Sequence, residues 1–125
     1  MKRIILYMLT FFALTTVAFA GCKGDDQTLV ASWYGAESGN RTANGEHFNG
    51  TSLTAAHRSL PFGTKLRVTY RGKSIVVRIN DRGPFHRDKH GRYDRDLDLS
   101  HAVAKALGTI PAGVATVLVC RLPGR

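Results

Sequence analysis

The chain has 125 residues, 43% of them hydrophobic, and carries 18 Lys and Arg against 9 Asp and Glu for a formal net charge of +9. That length gives one compact domain with a modest core and excludes two. The positive balance draws the chain toward polyanions, but the basic residues form no run of five or six and no nucleic-acid motif accompanies them, so no nucleic-acid partner is expected.

Met1-Lys2-Arg3 precedes an apolar run from Ile4 to Ala20 that ends Ala18-Phe19-Ala20. A basic start, an apolar stretch and an A-x-A pattern predict an export signal over residues 1–20. A retained membrane helix competes with this reading because the run lies near the lower length limit for spanning, but the small residues favour cleavage. Removal takes the net charge from +9 to about +7. For an exported protein, polyanion means cell-wall polymer or anionic lipid surface. Cys22 and Cys120 then lie near the two ends of the mature chain. One reading pairs them as a disulfide in an oxidising compartment. The other takes Phe19-Ala20-Gly21-Cys22 as a lipobox, with Cys22 acylated and membrane contact made only through that lipid. The disulfide is the favoured of the two.

Residues 21–28 read as a short polar leader. Leu29 to Tyr34 reads as a strand, and Ala36 to Thr51, rich in Gly, Asn, Ser and Thr, as a long loop of the kind that carries function. Leu53 to His57 is a short apolar segment. Lys65 to Tyr70 and Lys73 to Asn80 form a hairpin about Arg71-Gly72. His86 to Arg95 is a charged loop, and Leu97-Asp98-Leu99 a two-turn junction or very short strand. Ser100 is placed to cap a helix over His101 to Leu107 that Gly108 stops, with Asp96 and Asp98 complementing its dipole. A last strand runs from Val114 to Leu122. Five or six short strands, one clear helix and no internal repeat predict a small closed β-barrel.

Asp81 is the first candidate for chemistry. Ile75, Val77 and Ile79 alternate onto one strand face, and Asp81 falls at the next position on it, just before Gly83-Pro84 breaks the strand. A carboxyl against aliphatic neighbours is a general acid with a raised pKa; an Asp that caps a turn is the alternative. Glu46 stands in the long loop, where a solvated carboxylate is the ordinary outcome, and His57 ends an apolar stretch, where a half-buried His bonded to backbone is. His86 and His90 are four apart, but nearby Gly83-Pro84 and Gly91 disfavour a helical ligand pair, so no metal is expected. No Gly-x-Ser-x-Gly elbow and no phosphate loop occur, and no cofactor is expected. Trp33, Tyr34, Phe48, Phe62, Phe85 and Tyr93 fall at or near turns, where flat rings stack on sugars unless they pack the core.

Six ordered segments then carry a resemblance: Ala31-Ser32-Trp33-Tyr34-Gly35, Thr42-Ala43-Asn44-Gly45-Glu46, Leu53-Thr54-Ala55-Ala56-His57, Leu60-Pro61-Phe62-Gly63-Thr64, Val76 to Phe85 and Leu97-Asp98-Leu99-Ser100. Together they resemble the rare lipoprotein A (RlpA-like) family of bacterial wall proteins across about Val30 to Leu122. The resemblance implies a mostly β fold, a six-stranded double-psi β-barrel with one or two short helices, over residues 29–123. It implies lytic transglycosylase activity on peptidoglycan glycan strands stripped of stem peptides, in an exported, periplasmic protein anchored to the outer membrane if Cys22 is lipidated. The functional positions fall on Glu46, His57 and Asp81, with Trp33, Tyr34, Arg82 and Phe85 assigned to substrate. Asp81 is expected to carry the proton, His57 to orient it or the substrate, Glu46 to stabilise positive charge, and the Arg82 guanidinium to point away from Asp81. Two departures from the family's pattern are expected: no SPOR domain after the barrel, and an 86–95 stretch longer and more charged than the family's usual link. A monomer is expected. An expansin-like module that binds and loosens wall glycan is the alternative, and an inverting hydrolase pairing Glu46 with Asp81 a third reading.

Overall fold

The computed structural model describes residues 22, 26–35, 39 and 41–124; the expected export signal lies outside them. Six strands close a barrel in the order β1-β5-β2-β4-β3-β6: β1 (Gln27–Tyr34), β2 (Thr54–Ala56), β3 (Lys65–Tyr70), β4 (Lys73–Asp81), β5 (Leu97–Ser100) and β6 (Ala115–Arg121). The pairs β1·β5 and β2·β4 are parallel and the rest antiparallel. The β3–β4 hairpin is the most local of these pairings. Its two turn residues, Arg71 at φ 47° and Gly72 at φ 81°, take the mirror-image turn that matches strand twist.

Leu66, Val68, Val77, Ile79, Leu97, Leu99 and Val117 fill the interior from four strands, and every one of them is almost fully buried. The helix α1 (His101–Leu107) closes one flank with Val103, Ala104 and Leu107. Its ends are as the sequence expects. The Ser100 hydroxyl accepts from the Val103 amide at 3.4 Å, and Gly108 takes a left-handed conformation at φ 84°.

Three expectations need correction. β1 starts at Gln27, inside the expected leader, because Gln27 and Thr28 pair with Val119 and Leu118. Of the two readings of Leu97 to Leu99 the short strand holds, between β1 and β2, but Asp96 and Asp98 do not serve the helix dipole: α1 has no acid in its first turn. Asp96 instead accepts from the Val30 amide at 2.9 Å and pairs with Arg58 at 3.6 Å. The charged 86–95 stretch is a tied hairpin, bridged at Arg87 and Tyr93. The Tyr93 ring lies between the guanidinium groups of Arg58 and Arg87, at 4.2 and 4.0 Å.

Cys22 and Cys120 are joined, with Cα atoms 5.5 Å apart and a sequence separation of 98. A loop of that size stabilises by about 4–5 kcal/mol in the chain-entropy model. Cys120→Ser is therefore expected to lower unfolding free energy by several kcal/mol, read by urea denaturation with and without reductant. The intact mass of the protein is expected to be that of its chain less two hydrogens. A mass carrying acyl groups, with stability indifferent to reductant, would overturn the pairing.

Candidate active site

The site follows from one irregularity in register. Along β2 and β4, Ala55 pairs with Ile79, but the next residue, Ala56, pairs with Asp81 and Asn80 is skipped. A strand carries side chains to alternate faces, so one extra residue reverses the parity of everything after it. Ile79 keeps its place in the interior with Val77, while Asp81 is turned to the opposite face beside Ala56. The expectation that Asp81 continues the aliphatic face of Ile75, Val77 and Ile79 is thus wrong. The same step delivers the carboxylate to the outside of the barrel.

There Asp81 helps to line a cleft of about 400 Å³. Its Oδ1 accepts from the amides of Ala43 and Arg82, each at 2.8 Å, and its Oδ2 from the Tyr34 hydroxyl at 3.3 Å. Three donors from three segments fix the carboxylate. Tyr34 is itself buried and stacked on Phe48, with centroids 4.8 Å apart. Burial, then the Asp81 charge and hydrogen bond, push the Tyr34 phenol well up, so it stays a donor at any physiological pH.

Glu46 stands at the end of the 42–46 turn, which closes through the Thr42 and Gly45 amides on the carbonyls of Glu46 and Thr42, both at 2.9 Å. Its carboxylate is gripped by Arg78 of β4: Nη1 binds Oε1 and Nη2 binds Oε2 at 2.9 Å. Asn44 adds a bond at 2.8 Å and Asn80 one at 3.2 Å. The Arg78 hydrogen bonds, followed by that of Asn44, lower the Glu46 pKa to about 2. Glu46 is absent from the lining of the Asp81 cleft. It reaches Asp81 through the turn it anchors, since the same turn presents the Ala43 amide.

His57 touches Asp81 only by backbone, its amide donating to the Asp81 carbonyl at 3.2 Å. The imidazole caps its own turn: Nδ1 accepts from the amides of Ser59 and Leu60 at 3.1 and 3.0 Å. Burial, with Arg58 next, lowers its pKa and keeps the ring neutral. It lines a separate cavity with Leu29, Leu66 and Val119. The structure therefore brings Glu46, His57 and Asp81 into one neighbourhood but not into one hydrogen-bonded cluster of side chains.

Trp33, Tyr34, Arg82 and Phe85 all line the Asp81 cleft. As expected, the Arg82 guanidinium turns from Asp81: it donates to the carbonyls of His57 and Leu60, at 3.2 and 2.8 Å, and lies 3.9 Å over Phe62. Trp33 sits edge-on to His101 at 5.4 Å. Phe85 is 61% exposed on the rim, the most exposed large hydrophobic side chain among the described residues. It lies beside Gly83, whose φ of +125° is a conformation that favours glycine. Sequence reasoning missed Ser32, Arg41, Ala56, His86, Arg95 and Asp98, which also line the cleft, as Gly83 and Pro84 do. For Asp98 the signal was there: a polar residue between two leucines in a strand belongs to the face away from the core.

A family model described as "Lytic transglycolase" matches residues 26–119. The chain belongs to this family. Within it, this lytic transglycolase domain is 54% identical over 91 residues to a Synechocystis sp. protein named "Probable endolytic peptidoglycan transglycosylase RlpA", covering 70% of this chain and 26% of that one. It is 46% identical over 100 residues to the "Endolytic peptidoglycan transglycosylase RlpA" of Vibrio cholerae, covering 78% and 36%. The RlpA-like resemblance holds, and the chain spans about a quarter to a third of the length of these relatives. Among solved structures, the Streptomyces papain inhibitor superposes with a TM-score of 0.61 at 22% identity, over 80% of this chain and 96% of that one. That likeness concerns the double-psi β-barrel alone.

Proposed function

We propose that this domain is a lytic transglycosylase that cleaves the β-1,4 bond between N-acetylmuramic acid and N-acetylglucosamine in extracytoplasmic peptidoglycan, acting on strands stripped of stem peptides. The observation that carries the reading is the Asp81 carboxylate, fixed by three donors in an open cleft rimmed by an exposed aromatic ring. The chemistry asks for one proton carrier. Protonated Asp81 gives its proton to the leaving O4 as the C1–O4 bond breaks. The C6 hydroxyl of the same muramic acid then closes on C1, and its proton returns to Asp81. Water is not consumed, and the product ends in 1,6-anhydro-muramic acid.

Glu46 is the poorer carrier. With its pKa near 2 it is a carboxylate throughout the neutral range, and Arg78 occupies both its oxygens. The same engagement counts against an inverting hydrolase in which Glu46 activates water. The cationic side chains of Arg41 and Arg95 at the cleft suit a strand that carries a lactyl carboxylate on each stripped muramic acid.

Digestion of purified stem-free glycan strands, followed by mass analysis of the fragments, tests the reading. Anhydro-muramic ends are the expected product. Ordinary reducing ends would make the domain a hydrolase, and bound but uncut glycan would make it an expansin-like binding module.

A further inference from the structure

We propose that Asp98 is the second carboxylate of the reaction, set across the groove from Asp81 and stabilising the positive charge that develops at C1; the inference rests on the transglycosylase reading. The barrel order places β1, β5, β2 and β4 side by side. Ser32 pairs with Asp98, Asp98 with Ala56, and Ala56 with Asp81. Residues in register on neighbouring strands share a face, so Ser32, Asp98, Ala56 and Asp81 form one row across four strands. All four line the same cleft.

The smallest side chain of the row stands between the two acids. Two strand spacings put their Cα atoms at most about 10 Å apart, and the methyl of Ala56 leaves the space between them open to a sugar ring. Leu97 and Leu99, both fully buried, lock the register of β5, so Asp98 has no way to rotate off this face. Its Oδ1 accepts from the Ser32 hydroxyl at 3.2 Å. Tyr34, which donates to Asp81, also lies within the field of the Asp98 charge.

The division of labour follows from the chemistry. As C1–O4 breaks, the muramic ring acquires oxocarbenium character while the proton leaves Asp81 for O4. A fixed anion on the far side of the ring binds that state more tightly than the neutral ground state, which is the condition for a rate effect. Glu46 cannot take this part, being neutralised by Arg78 and outside the cleft lining.

The test is Asp98→Asn, whose amide carbonyl keeps an acceptor for Ser32. On stem-free glycan strands, kcat is expected to fall by about 10²–10³, with KM, glycan affinity and thermal midpoint close to wild type. A merely structural Asp98 would instead lower the midpoint and leave kcat per folded molecule unchanged, and that result overturns the proposal. If Asp98→Asn does not fold, Asp98→Glu decides. It keeps the charge but shifts it by a methylene, so turnover at least tenfold below wild type is expected and wild-type turnover overturns the proposal. Wild-type protein that releases no anhydro ends would overturn the transglycosylase reading and this inference with it. Active wild type with undiminished Asp98→Asn would overturn this inference alone.

Discussion

Asp81→Asn is expected to reduce release of anhydro-muramic ends by about 10³–10⁴, with glycan affinity and fold retained. General acid–base catalysis is worth about 10²–10⁴, and here one group serves both halves of the reaction, so the upper part of that range applies. Asparagine is isosteric and keeps a carbonyl toward the Ala43 and Arg82 amides, which bind Oδ1 at 2.8 Å. Its amide faces the Tyr34 hydroxyl in place of Oδ2, where the phenol oxygen accepts instead of donating. The geometry therefore survives while the titratable proton is lost. Steady-state assay on glycan strands, beside a binding isotherm on the same strands, separates the two effects. Turnover of Asp81→Asn within tenfold of wild type would remove Asp81 from the proton path, whatever the product.

The barrel was largely legible in the sequence because its signals are local. The alternation Leu66-Val68-Tyr70, the Arg71-Gly72 turn and the Ser100 and Gly108 caps each depend on a few neighbouring residues, and each recurs in the structure. The fate of Asp81 was only half legible. Its position after a strand drew attention to it, but alternation cannot show a residue skipped by the partner strand, because that depends on the pairing of β2 with β4 across 20 or more residues. The apolar face was therefore the wrong reason for singling it out. Asp98 was missed for a related cause. Three residues between a charged loop and a helix read equally as a junction or a short strand until β1 and β2 are seen on either side. For Glu46 and His57, the sequence marked the residues but not what they hold. The Arg78 grip on Glu46 and the turn capped by His57 are side-chain contacts that no spacing rule encodes.

Glu46→Gln is expected to cost about 10–10² in kcat without removing any group that moves a proton. The carboxylate acts at a distance through a defined chain. It takes both Nη atoms of Arg78 on β4 and the amides of Asn44 and Asn80, and so clamps the 42–46 turn to the strand that ends in Asp81. That turn supplies the Ala43 amide, one of the three donors on Asp81. Glutamine is neutral and cannot accept both Arg78 bonds, so the turn loosens and Asp81 loses a fixed partner; a misplacement of about 1 Å is enough for a loss of that size. The effect falls on kcat more than on KM, since Glu46 does not line the cleft. Stability carries an independent signature. The Glu46 pKa is lowered from 4.5 to about 2 in the folded protein, so the pair stabilises above the unfolded value and that contribution fades as pH falls from about 4.5 toward 2. Glu46 is 38% exposed on its side chain, and solvent screening holds the contribution to about 1 kcal/mol. Urea midpoints measured at about pH 7 and about pH 3 are expected to differ less in Glu46→Gln than in wild type, by that amount. If the variant instead kept the wild-type pH dependence while losing all turnover, Glu46 would belong to the chemistry and not to the clamp.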